Sequence, residues 1–233
     1  GLVLTLVGRR HEGERYRVPR MGEQPATTSC TLNTADGVRL VAEQRVPAAP
    51  RAAASIAHPH PSYGGSMHDA VVTTLWQALG ARDVATVQFM FRGFGGSEGV
   101  HDGGPAERND VLAALDHAAS LAPDAPVLAC GYSFGADVTL ACDHPAVVAW
   151  LVVAPPLMLF DADTLVPAKD DRPTHLFVAA HDQFAPPDAV RERTAGWPDT
   201  TVHVVDMADH FFRGTLDRLA TSVGAVLDDL LPR

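Results

Sequence analysis

Lysine is all but absent. Lys169 is the single one among 18 basic residues, so arginine carries nearly all the positive charge. Acidic residues number 28, which leaves a formal net charge of −10. No Lys/Arg cluster outweighs that total, so the chain lacks the basic face a nucleic-acid partner requires. Cysteine is scarce too. Cys30, Cys130 and Cys142 are too few and too scattered for a disulfide framework, and no C-x-x-C pair occurs. Three reduced thiols are expected. No apolar run reaches the roughly 20 residues of a membrane-spanning helix. In the opening "GLVLTLVGRR" the arginines follow the apolar run, the reverse of a secretory leader. These absences predict no nucleic-acid partner, no membrane span and, by default, a cytoplasmic location.

What is present points to a packed domain. At 46% hydrophobic and 20% charged, the 233 residues can bury a sizeable core. Residues 1–26 are irregular and charged, and are expected to be an N-terminal arm or an extra strand. Residues 27–233 are expected to form one domain. Two alternating segments flank Ala35-Asp36-Gly37, a hairpin signal. Short apolar runs at 52–57, 84–91, 126–131, 146–154, 174–180 and 201–206 predict buried strands. Between them, helical spacing appears over 66–81, 105–122, 134–143, 187–196 and 214–231. Strands alternating with helices predict an α/β fold with a mostly parallel central sheet and helices on both faces. Only about 20 residues separate the strands at 146–154 and 174–180, too few for a large lid.

Two stretches match G-x-S-x-G, the turn that can present a serine nucleophile above a sheet. One is Gly131-Tyr132-Ser133-Phe134-Gly135 and the other is Gly95-Gly96-Ser97-Glu98-Gly99. Ser133 sits between an apolar strand and a helix, the context that lifts the hydroxyl over the sheet's carboxyl edge. Ser97 follows a strand, but "GSEGVHDGGP" continues as loop, with no helix to hold the turn. Gly93 and Gly95 also begin G-x-G-x-x-G, yet Glu98 occupies the third glycine's place. That loop is expected to be a sharp turn, with Arg92 available to tie it down. Ser133 is the candidate nucleophile.

A serine hydroxyl needs a base, and the base needs an orienting acid. In the strand–turn–helix setting the chain order is serine, acid, histidine. Asp182 follows the strand at 174–180, and His210 follows the last strand. Rival acids are Asp206 and Asp209, which lie close to His210 in sequence, and Asp161 or Asp163 after the preceding strand. His181 adjoins Asp182 without a matching context of its own. An oxyanion needs two donors. Phe134 N–H is one. The other should come from "HPHPSYGGS", where Pro59 and Pro61 have no N–H, leaving His60, Ser62 or Tyr63, with Ser62 and Tyr63 preferred.

At "HPHPSYGGSMHDAVV", "FRGFGGSEG", "GYSFGA", "APP", "HDQFAPP" and "DHFF" the chain resembles the small, lidless α/β-hydrolases of the dienelactone-hydrolase-like, serine-esterase type. The resemblance runs from about residue 28 to the end. It implies that Ser133, Asp182 and His210 act as nucleophile, acid and base, with no cofactor. Where the family has His-Gly after the third strand this chain has His58-Pro59, and Ala179 replaces a glycine common before the acid. The expected activity is hydrolysis of a small-molecule ester or thioester. The same triad could instead serve acyl transfer, cyclisation or elimination. A more remote reading takes His58 and His60 as metal ligands of a hydrolase, although Ser62 and Tyr63 break the fuller H-x-H-x-D-H pattern. A homodimer is compatible with the sequence.

Overall fold

The computed structural model describes residues 25–231. The arm or strand expected over residues 1–26 lies outside them except for Pro25 and Ala26, which carry no regular structure. The strands are β1 (Thr28–Asn33), β2 (Arg39–Arg45), β3 (Ala52–Ala57), β4 (Val84–Phe89), β5 (Val127–Tyr132), β6 (Val147–Val153), β7 (Thr174–Ala179) and β8 (Thr200–Val205). The helices are α1 (Ala70–Gly80), α2 (Glu107–Leu121), α3 (Phe134–Leu140), α4 (Pro187–Arg193) and α5 (Leu216–Leu230). All eight strands join one sheet in the order β1-β2-β4-β3-β5-β6-β7-β8. The β1–β2 and β2–β4 pairs are antiparallel and the other pairs are parallel. The hairpin turns at Gly37, whose φ of 84° suits a residue without Cβ.

The central strands β3, β4 and β5 are buried on both faces, which explains their unbroken apolar runs. Side chains still alternate between faces. Ala53, Ala57, Val127 and Ala129 pack on the side of α2, α3 and α4, while Ala54, Ile56, Leu128 and Cys130 pack on the side of α1 and α5. Small residues in β3 let helices approach the sheet closely. No helix among the described residues is long and apolar enough to cross a membrane.

The helices are all shorter than their sequence patterns, α1, α3 and α4 by three residues or more at one end. α1 begins at Ala70 because the Asp69 carboxylate caps it, accepting from Val71 N–H at 2.8 Å. α3 stops at Leu140 although helical spacing extends to Asp143. Its last turn tightens, with Cys142 N–H donating to Thr139 C=O at 3.1 Å, and Pro145 then disfavours helix at His144.

The chain leaves β3 toward β4 on one side and runs on from β5 toward β6 on the other. β3 and β5 therefore flank the switch point, where the carboxyl ends of an open parallel sheet leave a crevice. Beside it, Arg92 joins three elements. Its guanidinium donates to Asp110 of α2 at 2.7 and 2.9 Å and to Asp36 of the hairpin turn at 2.8 and 3.1 Å. Its own N–H donates to Asp110 Oδ2 at 2.9 Å. The Asp110 side chain is fully buried. Removing it as Asp110→Ala leaves the buried guanidinium with Asp36 alone and the Arg92 N–H without its acceptor, so urea denaturation should show a loss of about 3 kcal/mol.

Candidate active site

Ser133 occupies a turn that sterics make narrow. Its φ and ψ are 53° and −117°, a left-handed conformation that a non-glycine residue holds only under constraint. The constraints are visible on both sides. Ser133 N–H donates to Val153 C=O at 2.9 Å, and Ala136 N–H closes the turn on Ser133 C=O at 2.9 Å. A Cβ at Gly131 would lie 2.5 Å from Gly135 O, and one at Gly135 would lie 2.5 Å from both Ala57 O and His58 O. Only glycine fits at either position. The two glycines of the motif are thus contact points between the turn, α3 and the end of β3.

Asp182 and His210 converge on Ser133 from loops after β7 and β8. Ser133 Oγ is 3.0 Å from His210 Nε2, and His210 Nδ1 is 2.8 Å from Asp182 Oδ2. The other Asp182 oxygen accepts from Phe184 and Ala185 N–H at 2.9 and 2.8 Å. Burial works against the charge on Asp182, but these bonds outweigh it and hold the carboxyl below its ordinary range. An ionised Asp182 keeps the proton of His210 on Nδ1, which leaves Nε2 free to accept. Tyr132 was not singled out by sequence, yet its hydroxyl donates to His210 C=O at 2.9 Å and fixes that loop. It is the residue just before Ser133 in the motif, so its position was on view but its partner was not.

Two of the rival acids bond within their own turns. Asp161 accepts from Asp163 N–H, and Asp209 accepts from Phe211 and Arg213 N–H as a turn residue. His181 is exposed, with its backbone N–H on Ala208 C=O at 2.9 Å. Ser97, the serine of the second motif, is buried rather than presented. Its hydroxyl donates to Met90 C=O at 2.7 Å and accepts from Val41 N–H at 2.9 Å, bridging the loop to β2. Glu98 pairs with Arg39 beside it.

The loop after β3 corrects the preferred second oxyanion donor. Ser62 N–H donates to the His60 ring at 3.2 Å and Tyr63 N–H to His60 C=O at 3.1 Å, so neither points a free donor at the site. Among the described residues, the N–H groups of His60 and Phe134 meet no acceptor, and both residues line the cavity above Ser133. His58 explains the departure from His-Gly. Its buried ring donates from Nδ1 to Pro59 C=O at 2.6 Å and accepts at Nε2 from Phe91 N–H at 3.0 Å. Burial, opposed only in part by the Pro59 bond, lowers its pKa to about 4, in keeping with a neutral ring. Both nitrogens serve backbone, which leaves neither for a metal.

The cavity measures about 810 Å³. Its walls include Tyr63, Met158, Leu159, Phe184 and Phe211, with Asp137 at its base. Asp137 was also missed in the sequence, though a carboxylate inside the otherwise apolar "FGADVTL" was a readable signal. Burial pushes its carboxyl up to about 6, against three backbone hydrogen bonds that favour the charge.

An eight-stranded, mostly parallel sheet, a strained serine turn at its switch point and, among the described residues, no lid domain over the cavity define an α/β-hydrolase fold. Solved structures agree. A candidate α/β-hydrolase of unknown function from Agrobacterium tumefaciens superposes with a TM-score of 0.78 at 29% identity, covering 88% of this chain and 96% of that one. A serine hydrolase without lid from Xanthomonas campestris gives 0.78 at 26% identity, covering 89% and 96%. An uncharacterized protein of Rickettsia prowazekii is 29% identical over 186 residues, 75% of this chain and 77% of that one. No family model matches the chain.

Ser97→Ala removes a buried bridge between two backbone groups. Thermal or urea unfolding should show a loss of about 1–2 kcal/mol, the cost of leaving Val41 N–H without its partner.

Proposed function

We propose that this α/β-hydrolase cleaves a carboxylic ester or thioester of a small acyl substrate through an acyl-enzyme on Ser133. The observation that carries the reading is the unbroken run of hydrogen-bond distances from Ser133 Oγ through His210 to Asp182. In the first half-reaction His210 Nε2 takes the Ser133 proton as Oγ attacks the carbonyl carbon. Asp182 holds the ring in position and stabilises the imidazolium that forms. Phe134 N–H and His60 N–H are the two donors assigned to the oxyanion, since neither meets an acceptor among the described residues and both residues line the cavity. The proton then passes from His210 to the leaving alcohol or thiol, and the carbon–oxygen or carbon–sulfur bond breaks. Water, deprotonated by the same histidine, attacks the acyl-enzyme and releases the acid and Ser133.

The neutral His58 and His60 rings contribute by shape. His58 ties the β3 end to Phe91, and the His60 ring packs 4.9 Å from that of Phe134, which bears the other donor N–H. The loop that carries one oxyanion donor thus rests on the residue that carries the second. Burial, assisted by the nearby His101, lowers the His60 pKa and favours the uncharged ring.

The pure protein should hydrolyse p-nitrophenyl acetate or butyrate and be labelled by a fluorophosphonate. Ser133→Ala and Asp182→Asn should each cut kcat by roughly 10⁴-fold. Ser97→Ala should keep most of the activity at a temperature where it remains folded. Full turnover by Ser133→Ala would overturn the assignment. Labelling without turnover of any ester would instead favour a transfer, cyclisation or elimination outcome.

A further inference from the structure

The segment Pro156–Leu159, just after β6, forms one wall of the cavity and is held from two opposite sides. From inside the fold, the Asp137 carboxylate accepts three successive backbone N–H groups, those of Leu157, Met158 and Leu159, at 2.9, 3.1 and 3.2 Å. From the outer side, Arg193 at the end of α4 donates to Pro156 C=O at 2.9 Å and Leu157 C=O at 2.7 Å. Donors and acceptors of one short stretch are thus satisfied by two opposite charges on two helices. The stretch needs holding. Ala154 and Leu157 have φ of 45° and 53°, left-handed values that neither residue type favours. Leu157 is buried in the core, while Met158 is 62% exposed and, with Leu159, is a cavity wall.

Asp137 is four residues after Ser133, one turn farther along the same helix. The helix that positions the nucleophile therefore also positions the wall. The backbone of the wall segment is satisfied behind the surface, and what it offers to the cavity is the side chains of Met158 and Leu159. Leu159 in turn sits against Gly104, where a Cβ would come within 2.6 Å of it.

We propose that Asp137 and Arg193 form a two-sided clamp on Pro156–Leu159 that sets substrate selectivity, presenting Met158 and Leu159 to an apolar alkyl chain on the acyl group. The selectivity half of this proposal rests on the hydrolase reading above, whereas the clamp itself does not. Asp137 is a positioning residue: it touches the wall segment's backbone and acts on substrate through it. The substrates implied carry medium-length alkyl acyl chains, because Met158 and Leu159 line the same cavity as Ser133 with flexible apolar side chains.

The test compares p-nitrophenyl acetate with p-nitrophenyl octanoate. In Asp137→Asn, kcat/KM for the octanoate should fall at least 10-fold through KM, while the value for the acetate, which barely reaches the wall, changes less than 3-fold. Arg193→Gln, an exposed substitution that leaves the core intact, should shift the same ratio in the same direction by a smaller factor. Met158→Ala should lower the octanoate alone. Equal losses on both esters in the folded variants would overturn the selectivity role. The clamp has its own readout in amide hydrogen exchange. The amides of Leu157, Met158 and Leu159 should exchange at least 10-fold faster in Arg193→Gln and in Asp137→Asn, with the amides of β5 unchanged. Unaltered exchange at those three amides would overturn the clamp. If the wild-type protein turns over neither ester, the hydrolase reading fails together with the selectivity role, and the exchange data still decide the clamp.

Discussion

The site depends on a place where there is no room for a side chain. α3 comes so close to the end of β3 that a Cβ on Gly135 would collide with two carbonyl oxygens, those of Ala57 and His58. That approach fixes the first turn of α3 against the loop that follows β3. It also leaves Ser133 to make the tight reversal between strand and helix at a positive φ. Position, direction and exposure of the hydroxyl follow from one steric fact. The strain of the turn is offset by the bond from Ser133 N–H to the neighbouring strand and by the buried faces of α3. Both partners of Ser133 then need only come from the carboxyl ends of strands farther along the same sheet. β7 and β8 provide them.

Much of this was legible because it rests on patterns of short range. The strands at 52–57 and 174–180 were visible as apolar runs, and the pairing of a strand, a G-x-S-x-G turn and a helix separated Ser133 from Ser97. Spacing alone did not. The second match obeys the same pattern and is turned to a different use: the Ser97 hydroxyl joins two backbone groups in a buried corner. A motif specifies which residue types are present, whereas the flanking elements decide which way the side chain points. The length of α3 was misjudged for a related reason. Apolar spacing continues through Cys142, but Pro145 denies helix to the residue before it, and the chain must turn there to enter β6.

What was not legible involves partners distant in sequence or hydrogen bonds made within a loop. Ser62 and Tyr63 were reasonable oxyanion donors as long as their N–H groups were counted as free. The short turn Pro61–Tyr63 folds both N–H groups back onto His60. That return is a matter of backbone angles, on which a run rich in proline and glycine says little in advance. His58 is similar. As a letter after β3 it suggested a ligand or a departure from a family pattern. In the fold it is a neutral spacer whose two nitrogens replace backbone partners, one on Pro59 and one on Phe91. Its buried setting disfavours the charged form, and both of its ring nitrogens are occupied by backbone.

With no lid domain among the described residues, a particular demand falls on the walls of the cavity. In a site closed by a separate domain, the substrate can be gripped from above by side chains that arrive with the lid. Here the cavity is open, so its walls must be stiff before the substrate enters. Two opposite charges supply that stiffness at Pro156–Leu159, a wall segment of irregular backbone. Asp137 is buried and can be charged only because three N–H groups surround it, and those N–H groups can stay ordered only because the carboxylate gathers them. Each half would be costly without the other. The helix that carries Ser133 carries this carboxylate as well, so one element positions both the nucleophile and a wall of its cavity. The fold thereby keeps a shaped pocket beside the half-buried Ser133, using its interior to order an irregular surface segment.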